Sequence, residues 1–410
     1  MRTLFMFVCL SLLCLSCGEK ERSNPLDPLN GDTHGSPSGF TAVALDRRVA
    51  LRWEPLDLTG LLGLNLYRRE LGSYALQLLA GSPFPAAAGA AVDSAVTNGV
   101  TYEYRLVPSI ENHGEGIASP IRTATPGPDF AVVSDGCDGL ITKLSADMRA
   151  SVWTAGGFFY PLCVAGRGSR IWFVDPYTGV YCVTDEGVLI WKNPDFMLPV
   201  SLAVSDQGLC AVVDAGTAGV RLLSSEGASL LTISGGLQGP ACVAFDAEGN
   251  LWVTDRAGGS VNKYSPDGVP LASFAGCREP RFLDIDFIDA ACWVGDAATG
   301  ELIKLNLMCS ELLRLPFSKT MSAIETDREE GGCWVADAAS DQLARVAQDG
   351  RILFRLGKLG GPVSVFASES GRTWVVGSTE PKITVVSGKG EFLSAVNFGQ
   401  CPTSIIVLGN

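Results

Sequence analysis

Pro240-Ala241-Cys242-Val243-Ala244-Phe245-Asp246, Gly249-Asn250-Leu251-Trp252-Val253-Thr254-Asp255 and Tyr264-Ser265-Pro266-Asp267-Gly268 together decide how this chain is read. A proline opens an apolar run, a Gly-Asn turn reverses it, a second run ends on aspartate, and Asp-Gly closes the next hairpin. Glycine reaches positive φ without steric cost, so such pairs specify tight reversals between strands. The same phases recur along the chain. Aspartates end apolar runs at Asp135, Asp175, Asp214, Asp255, Asp296 and Asp337, and Gly377 takes the seventh place, at steps of 40, 39, 41, 41, 41 and 40 residues. Trp172, Trp252, Trp293, Trp334 and Trp374 stand three residues earlier, where Val132 and Ala211 hold the other two units. Turn glycines follow at Gly187, Gly227, Gly268, Gly350 and Gly390, and prolines precede at Pro161, Pro199, Pro240, Pro280 and Pro362.

A period near forty residues is the mark of a repeat architecture. Each unit holds four short strands, too few to bury both faces alone. Arranged radially, neighbouring sheets cover one another, which is the logic of a β-propeller. Seven blades are expected, six being the alternative if one loose unit is not a true blade. The first unit begins with its second strand, 130–134, and the chain ends on an orphan first strand, 403–408. The C-terminal strand should therefore close the first blade and remove the exposed edges. Residues 240–276 resemble an NHL repeat on the motifs quoted above, and the other units match it more loosely. The resemblance implies an NHL-like β-propeller over 128–410 and specifies architecture rather than chemistry.

Composition agrees with an all-β chain. Of 410 residues 47% are apolar and 18% charged, with 47 Gly and 22 Pro, which excludes a disordered chain, a coiled coil and a mainly helical bundle. A formal charge of −13 argues against nucleic acid as a partner, since phosphate neutralisation needs clustered Lys and Arg.

At the N-terminus, Arg2 precedes an apolar stretch over 4–15 and then Ser16-Cys17, the layout of a secretory signal. Leu13-Cys14-Leu15-Ser16-Cys17 resembles the lipobox of bacterial lipoproteins, departing from it at Cys14, where leucine is usual. The resemblance implies a signal peptide over 1–16, lipid attachment at Cys17, and membrane anchoring through the acyl chains. Gly18 rather than Asp after the cysteine implies an outer membrane lipoprotein, facing the periplasm or the cell surface. Residues 17–35 read as the lipidated cysteine and a flexible tether, in which His34 is a solvated linker residue.

Over 36–127, apolar and polar residues alternate in short runs, clearest at 49–53, 62–67 and 102–107. This segment resembles a fibronectin type III domain, a β-sandwich. The match lies in Pro37-Ser38-Gly39-Phe40, Val49-Ala50-Leu51-Arg52-Trp53, Leu64-Asn65-Leu66-Tyr67-Arg68-Arg69 and Thr101-Tyr102-Glu103-Tyr104, the last read as a tyrosine corner. Such a module is a spacer or docking surface. His113 reads as a surface-turn residue.

The cysteines argue against a disulfide framework: Cys210, Cys292 and Cys333 share one repeat phase, and Cys163 and Cys242 another. Equivalent places on different blades are too far apart to bond. Two pairs remain as candidate bridges, Cys137 with Cys401, which would lock the ring, and Cys292 with Cys309 within the fifth unit. No zinc site is expected, because no C-x-x-C occurs beyond Cys17 and the two histidines lie before residue 114. The repeated aspartates read as structural acceptors for backbone N–H groups.

The same histidine count excludes two activities. Streptogramin lyases, which the repeat resembles, depend on a histidine acid or base, and peptidyl-hydroxyglycine lyases hold zinc through histidines. The leading expectation is a membrane-anchored, non-catalytic envelope lipoprotein. It would be a monomer without cofactor, presenting the propeller to a protein, peptide or glycan, a cationic one fitting the charge. The alternative is a calcium-dependent lactonase-like hydrolase with Asp246, Asn250, Asp284 and Asp286 as oxygen donors.

Overall fold

The computed structural model describes residues 23–409; the signal segment 1–16 and Cys17 lie outside the described residues. The chain is all-β, and the one helical element among the described residues is a short 3-10 turn, Ala86–Ala88. Among the described residues no helix is long and apolar enough to cross a membrane. It divides into two compact units. One takes residues up to 42 with 50–93 and 100–124; the other takes 43–49, 94–99 and everything from 125.

Strands Thr41–Leu45, Arg48–Arg52 and Ala90–Asp93 form one antiparallel sheet. Gln77–Leu78, Leu61–Glu70, Tyr102–Ile110 and Gly114–Glu115 form a second, to which Arg122–Ala124 is added. Leu51, Leu64, Leu66 and Leu106 are fully buried in the core between them. Trp53 packs edge-on to Phe84 and donates its indole N–H to the Ala86 carbonyl at 3.1 Å. Tyr104, in the segment read as a tyrosine corner, donates to the Asp93 carboxylate at 3.0 Å, and Arg68 pairs with the same carboxylate at 2.9 Å.

Within the segment expected as a flexible tether, the described residues form a run of turns. Asn24, Asp27 and Asn30 each accept a backbone N–H two residues on, from Leu26, Leu29 and Asp32. These side chains mimic backbone turns and fold residues 23–35 into consecutive reversals.

The second unit consists of seven four-stranded antiparallel sheets. The first strands of sheets two to seven are Cys163–Arg167, Pro199–Val204, Pro240–Phe245, Pro280–Asp286, Met321–Thr326 and Pro362–Ala367. Pro402–Leu408 supplies the first strand of sheet one. Each of these touches its neighbours on both sides, so the seven form a closed ring. The C-terminal strand pairs antiparallel with Phe130–Asp135, Leu408 facing Phe130 and Pro402 facing Asp135, and so closes the first blade. The opening prolines sit opposite the strand-ending acids: Pro199 faces Asp214, Pro240 faces Asp255 and Pro280 faces Asp296, each beside a register shift. Proline has no N–H to give to a ladder and is tolerated at such bulged strand starts.

The core lies between sheets. Trp172, Trp252, Trp293, Trp334 and Trp374 are all at most 1% exposed. Each packs on the sheet that follows: Trp252 on Leu283 and Ile285, Trp293 on Ile324 and Val335, Trp374 on Ile405.

Candidate functional site

First strands of six of the seven sheets, all but Met321–Thr326, line a cavity of about 830 Å³. Its wall carries Cys163, Ser201, Cys242, Ser364 and Ser404, all two residues after the strand-opening proline. Leu162, Val200, Phe282 and Val363 add an apolar lining. At the end where the repeat aspartates lie, the cavity is edged by Arg256, Arg278, Glu279 and Arg281. Arg256 pairs with Glu279 at 3.1 Å.

The wall hydroxyls and thiols also join blades. First strands of different sheets diverge, share no ladder, and leave inner-edge backbone groups to be satisfied elsewhere. Ser364 accepts the Ile405 N–H at 3.2 Å, and Ser404 accepts the Val164 N–H at 3.3 Å. The Cys163 thiol is hydrogen-bonded by the Leu202 backbone, Ser201 donates to Cys242, and Cys242 donates to the Leu283 carbonyl. Phe282 and Ala323 occupy this phase in sheets five and six and have nothing to offer. There the duty moves two residues along: Asp284 accepts the Thr326 N–H at 2.7 Å, and Glu325 accepts the Ala367 N–H. All seven junctions of the ring are bridged in this way.

Burial pushes the Cys163 thiol up to about 11 and raises Cys242 as well, so neither is a thiolate nucleophile near neutral pH. Glu325 is pushed up to about 8, first by burial and then by the charge of Asp284. Burial raises Asp284 too, against the N–H and hydroxyl of Thr326.

The repeat aspartates clamp the ends of the blades. Asp255 accepts the N–H groups of Gln238, Gly239 and Gly258, and Asp296 those of Arg278, Glu279, Ala298 and Thr299. Asp175 holds Phe159, Tyr160 and Tyr177, and Asp214 holds Met197 and Leu198. Asp135 holds Gln400 and Cys401 at the closing strand, and Asp337 holds Thr320 and Ser340. All but Asp214, whose carboxylate holds the entering loop alone, therefore tie the loop entering their own sheet to the turn after its second strand, Asp135 doing so through the Asp138 N–H. Burial works against the Asp296 carboxylate, but its four N–H donors outweigh it and hold the group below its ordinary range. In the seventh sheet, where Gly377 has no carboxylate, Asp341 accepts the N–H groups of Leu359 and Gly361 instead.

Asp246, Asn250, Asp284 and Asp286 do not converge on one point. Asp246 binds Lys263 at 2.8 Å, the Trp252 indole at 3.0 Å and Asn250. Asp284 is held by Thr326, and Asp286 accepts Ile288, Asp289 and Gly332 N–H groups. Among the described residues no group of three or more His, Cys, Asp or Glu could hold a metal ion.

Cys137 and Cys401 form a disulfide across 264 residues, with Cα atoms 5.3 Å apart. The bridge expected between Cys292 and Cys309 is not formed, and both are buried free thiols. The register explains it: Cys292 faces Leu305 on the neighbouring strand, while Cys309 lies beyond that strand's end in the turn, at φ 56°. The arginines at the cavity mouth were not found from the sequence; only their places, just after or before the repeat aspartates and prolines, signal them.

No protein-family model matches the chain, and no curated protein matches it by sequence. Solved structures do. Virginiamycin B lyase from Staphylococcus aureus superposes with TM-score 0.52 at 13% identity, over 58% of this chain and 84% of that one. A functionally unknown protein from Desulfotomaculum acetoxidans gives TM-score 0.59 at 11% identity, over 68% and 99%. A protein from Lactobacillus plantarum gives 0.57 at 13%, again over 68% and 99%. These neighbours are β-propeller-like, and at such identities the likeness shows the fold alone: an all-β chain containing a β-propeller.

Proposed function

We propose that this protein is an envelope lipoprotein of the outer membrane, anchored through Cys17. Its NHL-like propeller serves as a non-catalytic platform for a protein, peptide or glycan, set off by a fibronectin type III-like module. The cavity of about 830 Å³ is the seat of the ligand, within the volume range of ligand pockets. One observation carries the reading: among the described residues the one carboxyl group on the cavity wall is Glu279, already paired with Arg256. A wall of hydroxyls, high-pKa thiols and apolar groups suits recognition and lacks an acid–base pair for turnover. For virginiamycin B lyase, a histidine-to-alanine form is described as catalytically inactive. Both histidines of this chain, His34 and His113, precede the propeller.

A second reading, calcium-dependent hydrolysis, is favoured by one feature, the coupled carboxyls Asp284 and Glu325 on neighbouring first strands. The test is melting of the full chain with Ca²⁺ and with EDTA, beside fractionation of cells carrying Cys17→Ser. The platform reading expects an unchanged Tm, and a protein found with membranes unless Cys17 is replaced. A saturable rise in stability, about 2.7 kcal/mol at one hundred times Kd and reversed by EDTA, would replace that reading with the hydrolase.

A further inference from the structure

We infer that the channel cavity takes a ligand bearing a carboxylate on a partly apolar body, with the carboxylate held at Arg256, Arg278 and Arg281. This deepens the proposed function and rests on the cavity being the binding seat. The charge distribution is the argument. The chain as a whole carries −13, yet the charged groups edging the cavity are three guanidiniums against one carboxylate.

Arg256 and Glu279 neutralise one another through two guanidinium nitrogens on one carboxylate oxygen, at 3.2 and 3.1 Å. Arg278 and Arg281 are exposed, and neither has an acidic partner among the described residues. The Arg278 backbone is fixed by the Asp296 carboxylate at 2.6 Å, so the residue that carries this guanidinium is anchored by the repeat's own clamp. Arg281 follows the strand-opening Pro280 and has its guanidinium 5.9 Å from the Phe282 ring centroid. Two unpaired guanidiniums three residues apart, one just before and one at the start of the strand Pro280–Asp286, lie beside a cavity with low-dielectric walls and focus positive potential where an anion enters. Guanidinium geometry suits a carboxylate through paired N–H donors.

The rest of the wall describes the remainder of the ligand. Leu162, Val200, Phe282 and Val363 offer apolar contact, while the Ser201 and Thr403 hydroxyls, whose protons go to Cys242 and to the Pro161 carbonyl, offer acceptor lone pairs. A peptide C-terminus and a small apolar acid share this chemistry. A cationic ligand, which the net charge alone would favour, meets the wrong sign at the mouth.

The experiment is calorimetric titration of the full chain with matched probes: acetyl-Val-Ala-Phe as free acid, as amide, and with a terminal amine in place of the carboxyl, together with phenylbutyrate and phenylbutyramide. The inference expects the acids to bind at least tenfold more tightly than their amides. Both arginines are exposed, so Arg278→Gln with Arg281→Gln should leave Tm unchanged and erase that tenfold preference. Glu279→Gln, which releases Arg256, should tighten acids severalfold and leave amides unaffected. Preference for the peptide acid over phenylbutyrate would assign the carboxylate to a chain end; the reverse would assign it to a small acid. Amides or amines binding as tightly as acids would overturn the inference while leaving the cavity as the seat. Failure of acids, amides and amines alike would overturn both readings.

Discussion

The turn after each third strand shows how one side chain is chosen by another about forty residues away. Gly350 sits at φ +84°, and a Cβ there would lie 2.3 Å from Leu313 of the preceding sheet's outer strand. Gly227 stands in the same relation to Trp191, and Gly390 to Phe354. Glycine is therefore needed twice over, for its backbone conformation and for the close approach. The first and fifth sheets break the pattern, with Met148 at φ 58° and Cys309 at φ 56° in this place, and the fifth shows the reason. It can do so because the preceding sheet has the small Ala272 in the place held elsewhere by Leu313, Trp191 and Phe354, and Ala272 packs in the same cluster as Cys309. Ala272→Leu should thus cost about 1–3 kcal/mol by overpacking. Adding Cys309→Gly should recover most of that loss, read as Tm of the two variants and the pair. Simple additivity of the two substitutions would refute the coupling.

Between elements, the ring is held by side chains doing what a backbone ladder does within a sheet. Buried lysines on third strands add to the first-strand bridges: Lys263 reaches the Leu307 carbonyl at 3.1 Å and Lys304 the Gln348 carbonyl at 2.7 Å, each in the next sheet's turn. Both cations also lie over the tryptophan opposite them, Trp252 and Trp293. At the Glu325 bridge the consequence is a pH dependence. Its folded value of about 8 lies above the ordinary 4.5, so the folded chain keeps a proton that the unfolded chain releases. Stability from this group is complete below about pH 4.5 and declines as pH rises towards 8. Glu325→Gln should remove that decline, gaining roughly 3 kcal/mol over the parent between pH 5 and 8. Parallel Tm–pH curves for parent and variant would refute it. The Asp296 carboxylate, held below its ordinary range, works the other way, and its contribution is lost as the solution is acidified through its lowered value.

For the whole molecule, closure depends on the two ends of the propeller meeting. The last strand completes the first sheet, Asp135 clamps Gln400 and Cys401, and the Cys137–Cys401 bridge joins the same place covalently. A crosslink spanning 264 residues restricts the unfolded chain strongly, by up to about 5 kcal/mol in the chain-entropy account. Cys137→Ser with Cys401→Ser should lower Tm by roughly 5–10 °C while keeping the folded strand content, as followed by circular dichroism. An unchanged Tm, equal to that of the parent under reductant, would show that strand pairing alone closes the ring.

The period of Asp135 to Asp337, the tryptophans three residues before five of these places and the orphan strand at the C-terminus made the repeat and its closure legible without coordinates. Strand alternation and turn chemistry are local, and a repeat multiplies a local signal until it is unmistakable. The ring junctions were not legible. Ser364 and Ile405, or Cys242 and Leu283, are about forty residues apart, and nothing local tells that they meet. Asp284 invited a metal reading because an acid in a turn-rich acidic chain looks available, and only the neighbouring strand shows it occupied by Thr326. The sign of the cavity mouth was also beyond composition, since −13 spread over a surface says nothing of three arginines gathered at one rim. The sequence by itself determined the all-β class and the repeat that builds the sheets, because those follow from periodicity and backbone preference. Which side chains face the channel, which bridge one blade to the next, and what charge guards the cavity were decided only by the tertiary structure, where ring closure places residues from different repeats around one axis.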